Sequence, residues 1–114
     1  MGPQLYIGLM SGTSLDGVDA VLADFGAAKQ LLAAHHQPFT ADLRAALCAL
    51  LQPGGDELAR AAKVAIELSR CYAAGVGALL RAANVDASLV RAIGCHGQTV
   101  RHCPEAGYSI QLVN

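Results

Sequence analysis

Between Tyr6 and Ala20 the chain reads YIGLMSGTSLDGVDA: an apolar run and a second, mostly apolar one, separated by Ser11, Gly12, Thr13, Ser14, Leu15, Asp16 and Gly17. Small, hydroxylated and acidic residues bracketed by glycines are the material of an anion-binding turn. Glycine lets the backbone approach a ligand, successive N–H groups form a nest for negative charge, and Ser and Thr add hydroxyl donors. A phosphate group suits that chemistry. A decorated β-hairpin accounts for the same composition without any ligand. Two familiar phosphate signatures are excluded: no Gly-Lys-Ser/Thr follows, as a Walker loop requires, and GxGxxG leading into a helix is missing.

A second constellation is CHGQTVRHC, from Cys95 to Cys103. Cys95, His96, His102 and Cys103 are zinc-ligand types, but two pairs of adjacent residues converge poorly on one tetrahedron, and no metal site is assigned. A turn fixed by His and Gln hydrogen bonds is the ligand-free reading. His35 and His36 are neighbours in a strand-like stretch and should point to opposite faces. Asp42, Asp56, Glu57 and Asp86 sit near helix starts, where negative charge complements the dipole. Asp24 is expected to face solvent.

These groups need a frame. Leu5 to Met10 reads as a buried strand, Val18 to Phe25 as a second, and Gln30 to Phe39 as a third, weaker one whose Ala content also suits a helix, with Pro38 favouring an extended exit. Thr40 should cap a helix through ADLRAALCALLQ, with Leu43, Leu47, Leu50 and Leu51 on one face. Pro53, Gly54 and Gly55 end it. Asp56 should cap a long helix to about Ala83, with a stripe of Leu58, Ala62, Ala65, Ser69, Tyr72, Val76, Leu79 and Leu80. Gly75 and Gly77 would let that helix lie close to a sheet. Asp86 is placed to cap a short turn, and Val90 to Cys95 reads as a short buried strand. HGQTVRHCPEAG reads as loop, and YSIQLVN as a closing strand with Tyr108, Ile110 and Leu112 on one face. Strands followed by helices and another strand predict an α/β layer on a mixed sheet. A chain that ends inside a strand pattern is expected to be part of something longer.

Bulk properties narrow the function classes. The 114 residues are 54% hydrophobic and 15% charged, with net charge −1, which places them far from disorder. No cluster of Lys and Arg offers a nucleic-acid footprint. No apolar run approaches a membrane span or a secretory h-region. Cys48, Cys71, Cys95 and Cys103 form no CxxC pair, and a reducing, cytoplasmic setting is expected.

GLMSGTSLDGVDA together with AIGCHGQTVRH resembles the start of the anhydro-N-acetylmuramic acid kinases, members of the actin-like sugar kinase and heat-shock ATPase superfamily. The likeness covers the whole chain in element order and is strongest at these two motifs. It implies a ribonuclease H-like (actin-like ATPase) mixed sheet with flanking helices, here the N-terminal part of the first lobe and incomplete. The phosphate hairpin would span 5–25, a helical layer 40–83 and a sugar-cleft motif 90–114, with the second lobe outside this chain.

By the same resemblance, Gly12, Thr13, Ser14, Leu15, Asp16, Gly17, Val18 and Asp19 would cup the phosphates of ATP, with Asp16 or Asp19 holding Mg²⁺ through water. Many superfamily members carry an Asp where Met10 stands here. His96, Gln98 and Thr99 would bind the sugar, and Arg101 its lactyl carboxylate. The implied reaction cleaves the 1,6-anhydro ring with water and phosphorylates O6, giving N-acetylmuramic acid 6-phosphate in peptidoglycan recycling, with homodimerisation of the intact protein allowed. The catalytic Asp belongs to a DTGPGN-like segment that is not in these residues, so no catalytic residue is assigned. Two other classes fit the same motifs: a nucleotide-binding regulatory module using the same hairpin, and a truncated fragment without function.

Overall fold

An apolar run and a mostly apolar one build the first two strands, and burial alternates along the first. In the computed structural model, which describes residues 2–114, β1 (Leu5–Met10) and β2 (Gly17–Asp24) pair antiparallel, Leu5 opposite Asp24 and Met10 opposite Asp19. Leu5, Ile7 and Leu9 of β1 and Val18, Ala20 and Leu22 of β2 are all buried on one face. β3 (Gln30–Pro38) adds antiparallel to the far side of β2. β4 (Val90–Cys95) adds parallel to β1, giving the order β3-β2-β1-β4.

Two helices cover the buried face. In α1 (Ala41–Ala49), Thr40 Oγ1 accepts the Leu43 N–H at 3.1 Å, the cap expected from the sequence. Leu43 and Leu47 face inward. The long α2 (Glu57–Ala83) buries Val64, Ala65, Leu68, Tyr72, Gly75 and Leu79. Each large apolar side chain fully buried there contributes about 1.5–3 kcal/mol of transfer free energy. Gly75 sits where an added Cβ would meet Gln37 of β3 at 3.3 Å, so its missing side chain sets how near helix and sheet lie, whereas Gly77 lies against Arg81 of its own helix.

Four expectations are corrected. The stripe of α2 does not begin at Leu58, which is 90% exposed and points off the covered face; Ala61 packs against the core beside it, and Val64 and Leu68 are buried. Asp56 makes no side-chain cap and adopts a left-handed backbone instead. β4 is a strand but largely exposed, because only β1 adjoins it and no helix covers it. Within HGQTVRHCPEAG, Gln98–Cys103 is a strand (β5) that forms a two-stranded antiparallel hairpin with β6 (Tyr108–Leu112). On β6, Leu112 alone of its three apolar residues is buried. Asp86 does accept the Ser88 N–H at 2.8 Å, opening a 3₁₀ turn over Ala87–Leu89.

Candidate active site at the carboxyl ends of two parallel strands

β1 and β4 run parallel and adjacent, so their carboxyl ends lie side by side, where open α/β sheets place ligands. The turn 11–16 leaves the end of β1 and the segment His96–Gln98 leaves the end of β4. Both sequence motifs therefore meet, although about 85 residues separate them. The His96 N–H donates to the Leu9 carbonyl at 3.0 Å and extends the ladder by one rung.

A buried polar node joins them to α2. Ser11, 2% exposed, shares a 2.8 Å hydrogen bond with the Tyr72 hydroxyl and donates to the Gly97 carbonyl at 3.4 Å. Burial pushes the Tyr72 phenol above its ordinary pKa, opposed by the bond to Ser11, so the hydroxyl stays protonated. Gln98, fully buried, donates from Nε2 to the carbonyls of Gly12 at 3.1 Å and Thr99 at 3.2 Å. Its Oε1 is buried without a partner. Ser11 and Tyr72 were not among the residues singled out for chemistry. The available signal was Tyr72 in an apolar stripe, since a buried tyrosine calls for a hydroxyl partner.

The turn itself divides into inward and outward parts. Leu15 and Val18 are buried in the core, leaving only their backbones to any ligand. Leu15 supplies the left-handed residue of the turn, at φ 55°, and its N–H closes back on the Gly12 carbonyl at 3.3 Å. Thr13 and Ser14 are exposed, and no hydrogen bond among the described residues uses their N–H groups. Asp16 accepts the Ser14 hydroxyl at 3.0 Å, and its own carbonyl receives the Phe39 N–H. Asp19 projects from the exposed face of β2 and bonds His36 of β3 at 2.9 Å.

The four residues of the second motif separate. His96 is exposed, its Nδ1 3.2 Å from the Gly97 carbonyl. Thr99 Oγ1 accepts from Gln111 at 3.0 Å. Arg101 pairs with Glu57 at the start of α2, leaving its Nε buried and unbonded. Cys95, His96, His102 and Cys103 do not gather, and no group of three metal-ligating side chains converges among the described residues. His35 bonds Gln37 on its own strand, while His36 reaches Asp19, as opposite-facing neighbours must. Asp24 is not idle: it accepts the N–H groups of Gln4 and Gly26, which hold its carboxyl below the usual range.

The arrangement offers unspent N–H donors and hydroxyls at Thr13 and Ser14, with open space at Gly12, where an added Cβ would touch nothing within 4 Å. That fits a phosphate chain. A three-stranded meander, a fourth strand parallel to the first and helices packed on one face match an N-terminal lobe of the sugar-kinase, actin-like ATPase class. Residues 4–114 match the family model for anhydro-N-acetylmuramic acid kinase, and the chain belongs to that family. Proteins of that name from Nitrosomonas europaea and Nitrosospira multiformis are 55% and 56% identical to it over 96% of the chain. One from Neisseria meningitidis serogroup C is 52% identical over all of it. The chain spans about 31% of the length of the first two and 32% of the third. No helix is long and apolar enough to cross a membrane among the described residues.

Proposed function

We propose that this chain supplies the phosphate-binding turn and part of the sugar cleft of an ATP-dependent kinase acting on 1,6-anhydro-N-acetylmuramic acid. The observation that carries the reading is the meeting of the two motifs at the carboxyl ends of β1 and β4, with free N–H donors at Thr13 and Ser14. ATP is the phosphoryl donor in this reading. Gly12 gives access, Thr13 and Ser14 donate to phosphate oxygens, and Asp16, exposed beside Ser14, is placed to meet Mg²⁺ through water. Asp19 is the weaker metal candidate because it is shared with His36. The sugar lies toward His96 and Thr99. Arg101 reaches a substrate carboxylate only by sharing its guanidinium with Glu57. Residues 1–114 form part of the first lobe. The acid that activates water lies outside them, and the whole reaction belongs to the full-length protein in peptidoglycan recycling.

The test is phosphorylation by the full-length protein, followed as ADP release and as sugar 6-phosphate by mass spectrometry. The expected result is ATP-dependent conversion of 1,6-anhydro-N-acetylmuramic acid with water incorporated. Binding of Mg-ATP without turnover of any anhydro-sugar would favour a regulatory nucleotide module instead.

A further inference from the structure

We propose that Gln98 is a positioning residue for the phosphate turn rather than a group that touches the sugar: its amide holds the Gly12 carbonyl inward and so aims the Thr13 N–H outward. The inference rests on reading the turn as a phosphate site. The Gly12 carbonyl takes two bonds, from Leu15 N–H at 3.3 Å and from Gln98 Nε2 at 3.1 Å. The first closes the turn locally. The second comes from 86 residues away, out of a side chain with no exposed surface.

A trans peptide fixes its C=O and N–H in opposite directions, and the described residues contain no cis bond. Drawing the Gly12 oxygen into the protein therefore sends the Thr13 N–H the other way, where no protein group meets it. Gly12 is the place where such a clamp matters. Without a Cβ, and with open space around it, its peptide has more freedom to rotate than any other in the turn.

The identity of the side chain supports a role beyond filling space. A buried amide whose Oε1 has no partner costs free energy that an apolar side chain of the same length would not. The amide orientation is determined as well: exchanging O and N would set Oε1 against the Gly12 carbonyl, acceptor on acceptor. A second bond to the Thr99 carbonyl anchors the donor, and the neighbouring Gly97 carbonyl is tied through Ser11 to Tyr72. The segment that leaves β4 toward the sugar side thus also sets the shape of the nucleotide turn.

The experiment compares the full-length protein with its Gln98→Met variant, which keeps length and loses the donor. Amide hydrogen exchange of residues 12–16 without nucleotide should accelerate, and Mg-ATP affinity by calorimetry should fall, each about tenfold, the equivalent of one buried hydrogen bond. Affinity for the anhydro-sugar should change less than about twofold. Unchanged exchange in the turn, or a loss confined to sugar affinity, overturns the proposal. Gln98→Leu, which likewise has no donor to offer the Gly12 carbonyl, serves if Gln98→Met does not fold, and should accelerate exchange at least as much. Failure of the unaltered protein to bind Mg-ATP would sink the phosphate reading itself, and the exchange comparison would still decide whether Gln98 clamps the turn.

Discussion

A Cβ placed on Gly17 would lie 2.4 Å from the Gln37 carbonyl oxygen and 2.8 Å from the Pro38 Cα, whereas one placed on Gly12 would meet nothing within 4 Å. The two glycines bracket one turn and look alike in sequence. Gly17 is demanded from within, by the closeness of β3 where its register sets Gly17 against Pro38. Gly12 is not demanded by any neighbour. A glycine that the protein's own packing does not need is the one free to serve a ligand, and the contrast separates architecture from access inside six residues.

Substitution can break this contrast. Gly17→Ala carries the largest expected effect: the obstacles are backbone atoms that cannot swing aside, so overpacking should cost roughly 3 kcal/mol of stability, read from the denaturant midpoint of the full-length protein. Gly12→Val should leave that midpoint within about 0.5 kcal/mol while weakening Mg-ATP binding by about 1.5 kcal/mol or more, measured by titration calorimetry. The contrast collapses if Gly12→Val unfolds the protein, or if Gly17→Ala is fully stable and fails only in binding. Tyr72→Phe sharpens it on the inward side. Losing the hydroxyl leaves Ser11 with only the long bond to Gly97 and should cost about 1 kcal/mol, seen as a small midpoint shift. An unshifted midpoint would show that the node contributes no net stability.

The elements most readable in the sequence were those where local signals agree. β1 follows from its apolar run, β2 from alternation, β3 from Pro38 against an Ala content that also suits a helix, and the helices from Thr40 and from Pro53 with its two glycines, to within a residue or a few of the observed bounds. β5 escaped because its inward positions are Gln98 and Val100. Period-2 burial is present, but its first buried member is polar, and an apolar-polar pattern cannot show that. The exposure of β4 and of Leu58 depends on what covers them, which no local pattern records. At the site, the motifs were legible as chemistry but not as partners. Gln98, read as a sugar contact, is fully buried and bonds the Gly12 carbonyl, and a hydrogen bond to a carbonyl 86 residues away leaves no mark in composition. Leu15 and Val18, read as part of the phosphate motif, turn out to be core side chains whose backbones alone remain available.

β4 has one further consequence, and it concerns handling rather than catalysis. The strand pairs with β1 on one side only, and Ile93 is half exposed along it. Its other side presents a row of unpaired N–H and C=O groups with Arg91 as the one charged side chain, the arrangement by which sheets recruit foreign strands. Residues 1–114 prepared alone should therefore self-associate with rising concentration. Light scattering should show the association weakened by Ile93→Lys, a charge set on the very rail along which copies would zip together.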